Sequence, residues 1–192
     1  MRTPRSNEDD VEIQESSLIR GVKHVRLDTH GDTRGRFMET FRKEWFPERD
    51  WGSVQVNLSS SQAGVLRGLH YHFHQVDYWF PVSGQIRAGL FDLRRGSPTE
   101  GAWETLVLDA ETPAGVFIPV GVAHGYVTLS QSVLAYIVDE YFDGSDELGV
   151  AWDDPEIGMP WGTKDPVLSG RDRNNPTWQS LKPEMRPEFK EP

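Results

Sequence analysis

His70 and His72 lie two apart in the run from Gly64 to Gly84 (GVLRGLHYHFHQVDYWFPVSG). On a β-strand that spacing sends both side chains to one face. Asp77 follows five residues after His72, and a second stretch, Gly115 to Tyr126, adds Pro119, Gly121 and His124. Three imidazoles and a carboxylate on short strands form a donor set for a divalent metal such as Zn, Fe, Mn or Ni. A single held imidazole, titrating near neutrality, is equally suited to removing a proton. One histidine cannot be both a full metal ligand and a free base, so the two chemistries exclude each other at His70.

The elements that must position these groups read as β. Short Val/Ile/Leu/Phe/Tyr/Trp runs (SVQVNLSSS, VLRGLHYHF, QIRAGLFDLR, GVFIPV and SVLAYIVDEYF among them) are cut by Gly, Pro, Asn and Asp about every ten residues. Ser83-Gly84 is a hairpin-turn candidate. The best helix candidate, Arg42 to Arg49, is short and interrupted by Pro47. This pattern predicts an all-β, single-domain jelly-roll barrel, with His70, His72 and His124 facing its interior. Polar residues 1–17 are expected to form a mobile arm, residues 18–175 the domain, and the proline-punctuated residues 176–192 a tail. Tyr78, Trp79 and Phe80 read as packing residues, and Trp161 as a cover over the barrel mouth.

Composition narrows the function classes. The 192 residues are 36% hydrophobic and 26% charged, with a formal charge of −10 and no cysteine. The charge argues against nucleic acid or an anionic membrane as partner. The lack of cysteine removes disulfides, Cys-zinc sites and a thiol nucleophile, and fits a cytoplasmic protein. No apolar run approaches the roughly 18 residues of a membrane span, and the N-terminus is unlike a signal peptide. An anionic small molecule is still compatible with an acidic chain, because a few local arginines set a pocket's potential. Arg34 and Arg67 are the candidates.

Gly64, His70, His72, Asp77 and Gly84 follow the first cupin motif, with Asp for the usual Glu. Pro119, Gly121 and His124 follow the second, with Thr128 in place of Asn. A longer resemblance runs from about residue 20 to 175. DTRGRFMETF, VQVNLSSSQAGVLRGLHY, LFDLRRGSPTEG, IPVGVAHGY, WDDPEIGMPW and LSGRD, in that order, resemble the dTDP-4-dehydrorhamnose 3,5-epimerase family, built on the cupin jelly roll. The resemblance implies His70 as general base and Asp172 as the acid that orients it. It implies that Arg34, Glu39, Gln55, Asn57 and Arg67 contact nucleotide, diphosphate or sugar, and that His124 lines the sugar pocket. It also implies a homodimer with strand-exchanged N-terminal segments, and no cofactor.

The departures from the family pattern share a direction. Three residues are missing between His70 and the next strand, His72 stands where Gln is usual, and Asp77 replaces a Lys that supports the enolate oxygen. Counted back from Tyr141 and Trp152, Ala135 falls at the position of the family's catalytic Tyr. Tyr136 is adjacent, but one residue along a regular strand faces the other way, so it serves as general acid only if a bulge re-registers the strand. His72 and Asp77 each restore a ligand of a metal-binding cupin, giving His70, His72, Asp77 and His124 as the alternative metal set. The same two residues could instead form an ion-free hydrogen-bonded pair. Three functions follow: an isomerase acting on a dTDP-linked 4-keto-6-deoxyhexose, a metal-dependent cupin enzyme acting on a related sugar or other small molecule, and a catalytically silent nucleotide-sugar binding protein.

Overall fold

The computed structural model describes residues 11–191. Two antiparallel sheets face each other. In spatial order the first holds β1 (Glu12–Glu15), β2 (Lys23–Arg26), β10 (Ala114–Ile118), β7 (Asp77–Ser83), β12 (Ser132–Val138) and β5 (Gln55–Ser61). The second holds β13 (Leu148–Gly149), β6 (Leu66–Tyr71), β11 (Val122–Thr128), β8 (Gln85–Asp92) and β9 (Trp103–Asp109). A separate hairpin, β3 (His30–Asp32) and β4 (Gly35–Phe37), has every residue exposed. The expected all-β jelly roll is the architecture observed. Among the described residues no helix is long and apolar enough to cross a membrane.

Alternation along the strands produces three apolar layers. Between the sheets lie Ile19, Val22, Trp79, Ile86, Leu90, Val116, Ile118 and Leu134. Outside the second sheet, Leu66, Leu69, Tyr71, Phe91 and Trp161 pack under the C-terminal segment. Outside the first, Phe46, Trp51, Tyr78, Phe117 and Ile137 form an aromatic-rich layer, with Phe46 stacked on Phe117 at 4.5 Å. Each large side chain buried this way is worth about 1.5–3 kcal/mol. The inner layer fills only part of the space between the sheets, which leaves room for a pocket.

Several expectations change. Of the arm expected over residues 1–17, residues 1–10 lie outside the described residues, and Glu12–Glu15 pair with Lys23–Arg26. The helix candidate shrinks to a 3₁₀ turn, Lys43–Trp45, just ahead of Pro47. Ser83-Gly84 is a corner between sheets, not a hairpin: β7 already pairs with β10 and β12, and β8 with β11 and β9. The corner is tight, since a Cβ on Gly84 would lie 2.2 Å from the Gln131 carbonyl. Trp161 is buried in the layer outside the second sheet, its Nε1–H donating to the Trp152 carbonyl, so it does not cover the mouth. The tail wraps back: the Arg95 N–H donates to the Pro187 carbonyl, and the Phe189 N–H to the Arg95 carbonyl.

Candidate active site

A cavity of about 730 Å³ opens between the two sheets, within the size range of small-molecule sites. Its first wall is β5, where the usual pattern is inverted. Gln55, Asn57 and Ser59 turn inward to line the cavity, while Val56 and Leu58 point out to solvent. Tyr136 sits directly opposite Asn57 in an uninterrupted β12–β5 ladder, so it faces the cavity with Asn57. Ala135 lies opposite Leu58, on the other face. Of the two positions, Tyr136 and not Ala135 therefore faces the cavity. No bulge in β12 is required; the irregularity beside β12 lies on β7, between the pairs Ser83–Val133 and Pro81–Leu134. Burial, with Tyr126 and Asp77 nearby, raises the Tyr136 pKa, so its phenol carries its proton at neutral pH.

The second wall is β6. Arg67 opposes Tyr126 and His70 opposes His124, so three steps on β6 match two on β11. That extra residue is a bulge, and it brings Arg67, His70 and His72 to the cavity together. Leu66, Leu69 and Tyr71 then share the outer layer. Gly68, at φ +130°, occupies the bulge, and a Cβ there would lie 2.5 Å from Gly125 Cα.

His70 Nε2 lies 2.6 Å from Asp172 Oδ1. Asp172 is buried on a 3₁₀ turn, Asp172–Asn174, and its N–H donates to Ser169 Oγ. Burial alone would raise the Asp172 pKa, but the hydrogen bonds from His70 and Ser169 outweigh it and hold the carboxyl below its usual range. An ionised carboxylate only accepts, so His70 Nε2 carries a proton and Nδ1 keeps its lone pair. His70 Nδ1 lies 4.0 Å from Glu147 Oε1, which is itself paired with Arg171.

His72, Asp77 and His124 gather at the floor, with one ligand atom from each within 4.8 Å of the others. His70 is not among them, because Asp172 holds it, so the four-residue metal set reduces to three. His72 and Asp77 do not bond directly: Nε2 and Oδ2 are 3.7 Å apart, and the Gln75 amide donates to Asp77 at 3.1 Å. Trp79 Nε1–H also donates to Asp77, at 3.1 Å. Trp79 thus lines the cavity, while Tyr78 packs outside it. Burial, opposed by the Asp77 charge and reinforced by His72, pushes the His124 pKa down to about 4.

Of the six expected substrate contacts, Gln55, Asn57, Arg67 and His124 line the cavity. Arg34 and Glu39 do not. Arg34, in the turn of the β3–β4 hairpin, is ion-paired with Asp32, and Glu39 is ion-paired with Arg42. Neither belongs to the wall of this chain's own cavity. Sequence reasoning missed Ser59, hydrogen-bonded to Tyr126 at 2.8 Å, and the 140–147 segment at the mouth. The polar inward positions of SVQVNLSSS were the signal for Ser59. Nothing local marks the mouth segment.

A family model described as dTDP-4-dehydrorhamnose 3,5-epimerase matches residues 16–180. The dTDP-4-dehydrorhamnose 3,5-epimerase of Sinorhizobium fredii is 38% identical over 171 residues, covering 85% of this chain and 88% of the relative. The structure of dTDP-6-deoxy-D-glucose-3,5-epimerase from Legionella pneumophila in complex with dTDP-4-keto-L-rhamnose is similar at a TM-score of 0.88 and 31% identity, covering 95% of this chain and 100% of that one. A 3'-monoepimerase from Streptomyces bikiniensis in complex with dTDP-quinovose gives a TM-score of 0.83 at 33% identity, covering 88% and 90%. With the family model spanning most of the sequence and the same two-sheet architecture around the cavity, the chain belongs to the dTDP-4-dehydrorhamnose 3,5-epimerase family.

Proposed function

We propose that the protein is an isomerase that epimerises a dTDP-linked 4-keto-6-deoxyhexose by removing a proton from carbon next to the ketone. The observation that carries this reading is the His70–Asp172 pair at 2.6 Å on one wall of the cavity, with the protonated Tyr136 on the other. The 4-keto group acidifies the neighbouring C–H bonds. His70 Nδ1, its lone pair kept free by Asp172, takes the proton, and the Asp172 carboxylate stabilises the resulting imidazolium. Tyr136 then returns a proton from the opposite face, which inverts the carbon. Arg67, steadied by Ser61 Oγ at 3.2 Å, supplies positive charge toward the diphosphate, and Gln55 and Asn57 supply polar contacts.

The active unit in this reading is a homodimer in the cytoplasm. Val56 and Leu58 on the outward face of edge strand β5 are 62% and 68% exposed, and Val82 on the same sheet is 51% exposed. Apolar groups of this kind in a row on an edge strand mark an interface. A second copy would also give the stranded β3–β4 hairpin, with Arg34, a cavity to reach.

Solvent-deuterium exchange tests the reaction. Incubation with dTDP-4-keto-6-deoxyglucose in D₂O should place deuterium at C3, at C5 or at both, with exchange lost in His70→Asn. Tight dTDP binding without any exchange would replace the isomerase with the silent binder, and no dTDP binding would remove both.

A further inference from the structure

The floor of the cavity sets three acceptors against one another. His72 Nδ1 lies 2.8 Å from the Asp146 carbonyl, and His124 Nδ1 lies 2.9 Å from the Val122 carbonyl. A carbonyl oxygen only accepts, so both Nδ1 atoms carry the ring proton. Both Nε2 lone pairs therefore turn inward, and Asp77 Oδ2 stands 3.7 Å from one and 3.8 Å from the other. The Gln75 amide reaches Asp77 at 3.1 Å and His72 Nε2 at 3.4 Å. No hydrogen bond reaches His124 Nε2 among the described contacts.

We propose that His72, Asp77 and His124 bind a divalent transition-metal ion, with His70 outside the coordination set. Two imidazoles and a carboxylate, each imidazole fixed through its other nitrogen by a carbonyl, form a pre-oriented site for such an ion. Ligands about 2.0–2.1 Å from a tetrahedral centre stand roughly 3.4 Å apart. The two imidazole–carboxylate distances exceed this by less than ~0.5 Å, and all three ligand atoms lie within 4.8 Å of one another, so the site closes on an ion by a contraction of its side chains. The Trp79 Nε1–H on Oδ1 then orients the carboxylate from behind, at 3.1 Å. Remaining ligand positions face the cavity.

This arrangement removes the conflict between metal and base, because His70 belongs to Asp172. It also reverses the charge of the floor: Asp77 alone contributes −1, whereas Asp77 with two neutral imidazoles and a divalent ion contributes +1. Metal binding stands on the donor set alone. Only its consequence for an oxyanion formed at the sugar carbonyl rests on the isomerase reading.

The test is a titration of Co(II) into full-length, tag-free protein stripped with chelator, read by visible absorption and by melting temperature. We expect one equivalent per chain, the d–d bands of a low-coordinate ion, and a rise in melting temperature by mass action. Asp77→Asn and His72→Gln, both close in shape to the native residues, should weaken binding by more than the ~10–100-fold typical of losing an outer partner. His70→Asn should bind as the wild type does. Absent bands with substoichiometric metal in the folded wild type would overturn the site. Loss of binding in His70→Asn would overturn the three-ligand assignment. Nucleotide binding, measured separately by calorimetry with dTDP, does not depend on either result.

Discussion

Arg67 and His70 stand three residues apart on β6, yet both line the cavity, because one extra residue at Gly68 shifts the strand's register against β11. On a regular strand they would face opposite ways. The bulge has no room for a side chain: a Cβ on Gly68 would lie 2.5 Å from Gly125 Cα and 2.9 Å from the His124 carbonyl. Its φ of +130° is also unfavourable to any residue but glycine. Gly68→Ala should therefore destabilise the fold by about 2 kcal/mol or more and weaken dTDP binding, as Arg67 and His70 lose their shared face. Urea denaturation and calorimetry measure both. An unchanged midpoint with intact binding would show that β6 accommodates the methyl group.

His70 and Asp172 should act as a unit. His70→Asn is expected to lower kcat by about 10²–10⁴-fold, the usual contribution of a general base, while dTDP affinity stays close to wild type. Asp172→Asn keeps the shape of the pair but removes the charge that stabilises the imidazolium, so it should also lose most of kcat. The double variant should be little worse than either single one. Additive losses in steady-state kinetics would mean that Asp172 works elsewhere.

Tyr136→Phe separates proton removal from proton return. His70 can still exchange the substrate proton with solvent, so deuterium should enter the carbon while inversion slows by about 100-fold. NMR of the sugar distinguishes the two. Inversion at the wild-type rate would assign the acid to another group, such as Tyr126 on β11, a second phenol lining the cavity.

A pair far from the cavity predicts a pH-dependent stability. His24 Nε2 on β2 lies 2.7 Å from Glu104 Oε1 on β9, and Glu104 also accepts from Ser16 at 2.7 Å. The Glu104 interaction raises the His24 pKa against a smaller effect of burial, while Glu104 itself is lowered: burial opposes that shift but is outweighed by the close approach of His24 and the hydrogen bond from Ser16. The His24 contribution is complete below the unfolded value of 6.5 and lost as pH rises through the raised folded value. The Glu104 contribution is complete above its unfolded value of 4.5 and lost as pH falls through the lowered folded value. The stability difference between wild type and Glu104→Gln should thus peak between those limits. It should stay below about 1 kcal/mol, because the His24 ring is 41% exposed. A difference that grows steadily toward alkaline pH contradicts the pairing.

Much of the barrel was legible because a strand records its environment every second residue. SVLAYIVDEYF and QIRAGLFDLR read as strands, and His70, His72 and His124 converge on one cavity as their spacing implied. Register was harder to read. Counting back from Tyr141 placed Ala135 in the cavity, and only the pairing of Tyr136 with Asn57 reveals the true face. The grouping of His70 with the metal set failed for a related reason: Asp172, 102 positions away in sequence, claims its Nε2. The inverted pattern of β5, polar inward and apolar outward, was present in QVNLSSS. It acquires meaning only once one face is known to be a cavity and the other solvent.

The outward face of β5 gives the last prediction. Leu58→Asp places a charge where a second copy is expected, and sedimentation should find a monomer that keeps its β-sheet circular dichroism. Arg34, on the exposed β3–β4 hairpin, is outside this chain's own cavity, so it should act on the partner's cavity. Arg34→Ala and His70→Asn would then complement each other. In a mixed dimer one cavity receives the intact His70 of one chain and the intact Arg34 of the other, while the second cavity has neither. Unfolding and refolding the two inactive variants together should restore about a quarter of wild-type activity, since half the dimers are mixed and each has one working site of two. If Arg34 serves its own chain, every cavity keeps one defect and mixing restores nothing.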